Sequence, residues 1–94
     1  MRNSPTLEQI THDFTSGKIT RLEANVLFAS LIENSEDVHY RVKCLEEFGK
    51  IIINTEKNFQ IIENYLVSDE NPLVRTISAK ILFQSFPDSC LKPL

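Results

Sequence analysis

Slid against itself by 34 residues without a gap, this sequence falls into register with itself. Residues able to cap helices align, Thr20 with Asn54 and Asp88, and Asp37 with Asn71. Apolar positions align as well: Leu27 with Ile61, Phe28 with Ile62, Leu31 with Tyr65 and Ile32 with Leu66. Further on, Tyr40 meets Val74, Leu45 meets Ala79, Phe48 meets Leu82 and Ile52 meets Phe86, while Arg41 falls on Arg75 and Glu36 on Glu70. The letters differ and the physical roles agree, which is how a repeated supersecondary unit is written in sequence. Residues 19–52 and 53–86 are read as two copies of one helix–turn–helix unit, 4–17 as the second helix of a preceding unit, and 87–94 as the start of a further one. Two helices cannot bury an apolar face by themselves, so the copies must stack. The expected fold is all-α: a right-handed α–α superhelix, or solenoid, of about five helices in antiparallel pairs, with residues 1–94 forming a single domain.

Periodicity supports helices throughout, because apolar residues recur at three- and four-residue steps and two-residue alternation is never sustained. Ser4-Pro5 offers a cap and a first-turn proline for a helix carrying Leu7, Ile10, Thr11 and Phe14, which Ser16-Gly17-Lys18 ends. Thr20 caps a second helix, Asp37 a third running to about Ile53, Asn54 a fourth, and Asn71-Pro72 a fifth ending near Phe86. Ile51-Ile52-Ile53 is the one strand-like run, and it is too short to compete.

Composition narrows the function. Ten Lys and Arg against thirteen Asp and Glu give a formal charge of −3, with the two signs interspersed. A nucleic-acid binder gathers its cations on one face to displace phosphate counterions, so nucleic acid is not the expected partner. No window approaches the roughly 18 apolar residues needed to span a bilayer, and the polar start Met1-Arg2-Asn3-Ser4 does not read as a signal peptide. A cytoplasmic protein with no membrane contact is expected. Cys44 and Cys90 have no CxxC or His-spaced companions and read as free thiols. His12, Asp13, His39 and Cys44 match no metal-ligand spacing, and no GxGxxG, P-loop, GxSxG or HExxH occurs. The expectation is therefore no catalytic residue, no metal and no cofactor.

The segment "SDENPLVRTISAKIL" at 68–82 resembles the turn and second helix of HEAT-like repeats. The resemblance places the family's acidic turn on Asp69, its proline on Pro72, its Val-Arg pair on Val74 and Arg75, and its small residue and leucine on Ala79 and Leu82. "SEDVHYRVKCLEEF" at 35–48 matches more loosely through Tyr40, Arg41, Cys44 and Phe48, and departs at Ser35, which stands where the second copy has Asp69. Arg41 and Arg75 lie in the middle of apolar helix faces, where an unpaired charge would cost several kcal/mol. Asp69 is the candidate partner of Arg75; snorkelling of the guanidinium to the edge is the alternative.

The two copies differ on their polar stripe. His39, Lys43 and Glu47 in the third helix become Leu73, Ile77 and Ile81 in the fifth, leaving Thr76, Lys80 and Gln84 as its polar strip. Leu73, Ile77 and Ile81 read either as a contact strip for a partner or as a surface that further repeats cover. In HEAT-like solenoids the second helices line a concave surface where partners dock. The resemblance therefore implies a non-catalytic protein–protein interaction scaffold that binds a protein partner or self-associates. Two other roles known among HEAT-like proteins stay open as alternatives: an enzyme-associated subunit of the chromophore-lyase type, and a nucleic-acid-binding domain.

Overall fold

Five short polar side chains decide where the helices begin. In the computed structural model, which describes residues 5–87, Thr6, Thr20, Asp37, Thr55 and Asn71 each turn an oxygen back onto the first-turn amides. Those N–H groups have no partner inside the helix, and the cap supplies one. The helices are α1 (Leu7–Thr15), α2 (Arg21–Asn34), α3 (Val38–Ile51), α4 (Glu56–Ser68) and α5 (Pro72–Ser85). No strand occurs among the described residues. Thr20 completes a reciprocal capping box with Glu23, and Pro72 occupies the first turn of α5, where a missing N–H costs nothing.

Two caps differ from the sequence reading. α1 is capped by Thr6, not by Ser4-Pro5, and α4 by Thr55, not by Asn54. Asn54 instead donates from Nδ2 to the Ser85 carbonyl at the end of α5, 2.9 Å away. Ser4, Asp88, Cys90 and the unit read at 87–94 lie outside the described residues, apart from Pro87. α1 ends in a left-handed turn. Gly17, at φ +84°, lets its own N–H reach the Phe14 carbonyl and the Lys18 N–H reach the Asp13 carbonyl, which satisfies the helix end.

α2 packs against α3, α4 against α5, and the two pairs meet through α3 against α5, while α1 lies on α2. One core runs through all of them, with Ile10, Phe28, Ile32, Leu45, Phe48, Ile62, Val74 and Phe86 fully buried. The Phe28 and Phe48 rings lie 6.4 Å apart, and Phe59 meets Phe86 edge-on at 5.5 Å. Tyr40 of α3 extends the contact to α1, where its hydroxyl accepts the Leu7 N–H at 2.9 Å. The described chain measures 46 × 28 × 17 Å. No helix among the described residues is long and apolar enough to cross a membrane.

A polar knot pins the pairs to each other. Asn25 of α2 is buried, yet all its hydrogen-bonding capacity is used. Its Nδ2 donates to the carbonyls of Arg21 (2.9 Å) and Ile51 (3.0 Å). Its Oδ1 accepts from the Ile53 N–H (2.9 Å) and from Asn58 Nδ2 (3.0 Å). Arg21 adds bonds to the carbonyls of Ile51 and Ile52. The end of α3, the connection to α4 and the first turn of α4 are thus all held to one side chain of α2.

Candidate functional site

Two arginines 34 residues apart, Arg41 and Arg75, share one geometry. Arg41 donates from Nη1 to the Ser35 carbonyl at 3.4 Å, and Arg75 donates from Nη1 to the Asp69 carbonyl at 2.9 Å, in each case six residues back. Each guanidinium folds over the turn before its own helix. The carboxylate of Asp69 does not go to Arg75. It pairs with Arg41 Nη2 at 2.7 Å, across from the turn before α5 to α3, with side-chain exposures of 8% and 18%. Asp69 is therefore the partner of Arg41, 28 residues before it in the chain. Its carboxylate bonds to α3, and its own backbone carbonyl serves Arg75.

Burial separates the sequence-level repeat residues. Val74 and Leu82 are core, whereas Pro72 is exposed. Ala79, matched to fully buried Leu45, is exposed. The small buried pair at this level is Cys44 and Ser78. Burial, with the Glu8 charge second, pushes the Cys44 thiol up to about 11. It stays protonated and inert at neutral pH. Among the described residues no three His, Cys, Asp or Glu side chains gather where they could hold a metal ion.

The strip Leu73, Ile77 and Ile81 divides along its length. Leu73 is 48% exposed, Ile77 is partly buried against the core, and Ile81 is 6% exposed. Ile81 is thus core. It seats against Gly49 of α3, so closely that a Cβ at Gly49 would come 2.9 Å from Ile81 Cγ1. Glu47, its counterpart on α3, remains at the surface and pairs with Lys50 at 3.1 Å. The bare backbone at Gly49 leaves a groove of about 340 Å³ between α3 and α5, lined by Glu46, Lys50, Ile77, Lys80 and Gln84. Glu46 also borders the neighbouring hollow between α1 and α3, with His12, Lys43 and Glu47. The two hollows adjoin at Glu46 and carry Ile77 as apolar ground among alternating charges, with exposed Leu73 one turn before Ile77 on α5.

Alanine at Gly49 tests how tight this contact is. Helix propensity alone favours alanine by about 1 kcal/mol. Gly49→Ala is nevertheless expected to lower stability by about 1 kcal/mol, because overpacking against Ile81 outweighs that gain. In an Ile81→Ala background the same change should turn stabilising; urea denaturation of the four variants measures both.

Gly49, Asn25 and Asn58 were absent from the sequence reading. A glycine at the Phe83 position of the other copy was the available signal for the first; nothing in sequence marked the asparagines. No protein-family model matches this chain, and no curated protein or solved structure matches it.

Proposed function

We propose that the chain is a non-catalytic protein-binding module, a short α-solenoid of HEAT-like repeats with units at 19–52 and 53–86. Its docking surface is the groove side of α3 and α5. The observation that carries this reading is the repeated geometry of Arg41 and Arg75, each folded back on the carbonyl six residues before it and joined through Asp69. Two copies with the same internal bonds, stacked second helix on second helix, are the construction of a helical repeat. The groove supports a protein partner. Leu73 and Ile77 provide apolar contact, and Lys43, Lys50 and Lys80 alternate with Glu46 and Glu47, where a nucleic-acid surface would concentrate cations.

A photo-cross-linking residue placed at Leu73, and separately at exposed Leu22 on α2, tests this reading in cells. Leu73 is expected to give a discrete protein adduct and Leu22 none. The purified adduct partner should then bind Leu73→Glu roughly 10-fold more weakly, a loss of about 1.4 kcal/mol, with helicity unchanged. Adducts from Leu22 alone, or binding indifferent to Leu73→Glu, would overturn the assignment.

A further inference from the structure

α1 is tied to the rest of the fold more lightly than the other helices. Leu7 and Ile10 are its two enclosed side chains, and Phe14 is partly buried against the core. Among the described residues, α1 makes one hydrogen bond to another helix, from the Leu7 N–H to the Tyr40 hydroxyl, and no ion pair. α2 and α4 share the Asn25 knot with the end of α3, while Asp69 and Ser85 tie the two ends of α5. The 34-residue register puts Ser35 and Leu7 at the places of Asp69 and Arg41, so the bridge that joins α5 to α3 has no equivalent between α3 and α1. Between those two lies a hollow of about 490 Å³, where Glu8 stands among Lys43, Glu46, Glu47 and His12.

The joint behind α1 is open as well. Gly17 holds φ +84°, a Cβ on it would meet nothing within 4 Å, and Ser16, Gly17 and Lys18 are all exposed. The chain can turn there without disturbing the core. We infer that α1 is a latch: it swings off α2 and α3 about the Ser16–Lys18 turn while α2 to α5 stay folded, and the bond from Leu7 to Tyr40 sets how often it does so. Such an opening lies below the free energy of global unfolding, because it gives up only the contacts of one lightly tied helix. What the latch covers is the side of α3 that carries Tyr40 and Cys44. Cys44 is fully buried, lies one turn after Tyr40, and is close enough to Glu8 for that charge to act on its thiol. An open latch bares this thiol, and it also takes Glu8, Thr11 and His12 out of the hollow beside α3. The inference stands on the packing of α1 and does not rest on the proposed docking surface.

In a Cys90→Ser background Cys44 is the one thiol of the chain, and its reaction with dithiobis(nitrobenzoate) reports the opening. Tyr40→Phe is expected to speed that reaction about fivefold, the effect of losing one hydrogen bond that only the closed latch makes. Asn25→Leu weakens the knot at the other end of α2 and α3, and should leave the rate within about twofold. Hydrogen exchange of the unsubstituted chain gives a second reading: the α1 amides should exchange at least about 10-fold faster than those of α5, after allowance for intrinsic rates. An acceleration by Asn25→Leu of roughly 30-fold, matching its effect on overall stability, would mean that Cys44 is reached only by global unfolding, and would overturn the latch. So would α1 amides as protected as those of α5. A rate indifferent to Tyr40→Phe would remove Tyr40 from the role assigned to it.

Discussion

Replacing Asn25 by leucine is expected to lower the unfolding free energy by about 2–3 kcal/mol, although it exchanges a buried polar side chain for an apolar one of similar size. The reason is what the asparagine leaves behind. Its Oδ1 accepts the Ile53 N–H and one Asn58 amide hydrogen, and its Nδ2 covers the Ile51 carbonyl. Ile51 keeps a bond from Arg21 Nε at 2.6 Å, and Asn58 keeps one to the Ile53 carbonyl. The Ile53 N–H keeps nothing, and a stranded amide costs about 1–3 kcal/mol. Loosening the α3–α4 connection adds to this, since the same side chain fixes both ends of it. Asn64→Leu, at an exposed position of α4, should change stability by no more than about 0.5 kcal/mol. Urea denaturation of both variants measures the difference, and equal small effects would mean that the knot contributes nothing.

Arg41→Ala is expected to cost about 2–4 kcal/mol, against about 1 kcal/mol for Arg75→Ala and nearly nothing for exposed Lys80→Ala. The ranking follows from what each arginine leaves unpaired. Removing Arg41 strands the Asp69 carboxylate, which is 8% exposed and has lost the one charged partner it has among the described residues. Its remaining bond, from the Asn71 N–H at 2.9 Å, holds the turn and does not neutralise it. Removing Arg75 frees two backbone carbonyls, that of Asp69 part-buried and that of Glu70 exposed, and strands no charge. An exposed ion pair such as Lys50–Glu47, with Lys50 largely in solvent, contributes little by comparison.

Much of this architecture was legible because the signals are local. A cap acts within three residues, and a helix face is written in three- and four-residue steps. Thr20, Asp37 and Asn71 accordingly cap the helices that the sequence assigns to them. Asn54 was misread because Thr55, the next residue, is an equally good cap, and the position of Ser85 decides between them. Pairings across the stack could not be read this way. Asp69 is near Arg75 in sequence and bonds to Arg41, 28 residues away. Asn25 looks like an ordinary helix-surface residue until the end of α3 arrives beside it.

The candidate site was read less well, for one physical reason. A 34-residue register equates positions by sequence, but burial depends on neighbours, and the equated positions do not have the same ones. Glu47 of α3 stays at the surface while Ile81, its equivalent, seats over Gly49 and leaves the contact strip. Leu45 is enclosed, while Ala79 stands at an open face. Ile77 lines the groove, and Leu73, one turn before it on α5, is exposed.

Two double-mutant cycles test most directly whether Asp69 ties the turn before α5 to α3. One pairs Arg41→Ala with Asp69→Ala, the other Arg75→Ala with Asp69→Ala, each followed by urea denaturation. The expected coupling is about 1.5–3 kcal/mol in the first cycle and below about 0.5 kcal/mol in the second, since the alanine at 69 keeps the backbone carbonyl that Arg75 uses. Strong coupling in the second cycle with none in the first would mean that Asp69 serves Arg75 of its own helix, and the proposed stacking of copies would lose the bond that ties it together.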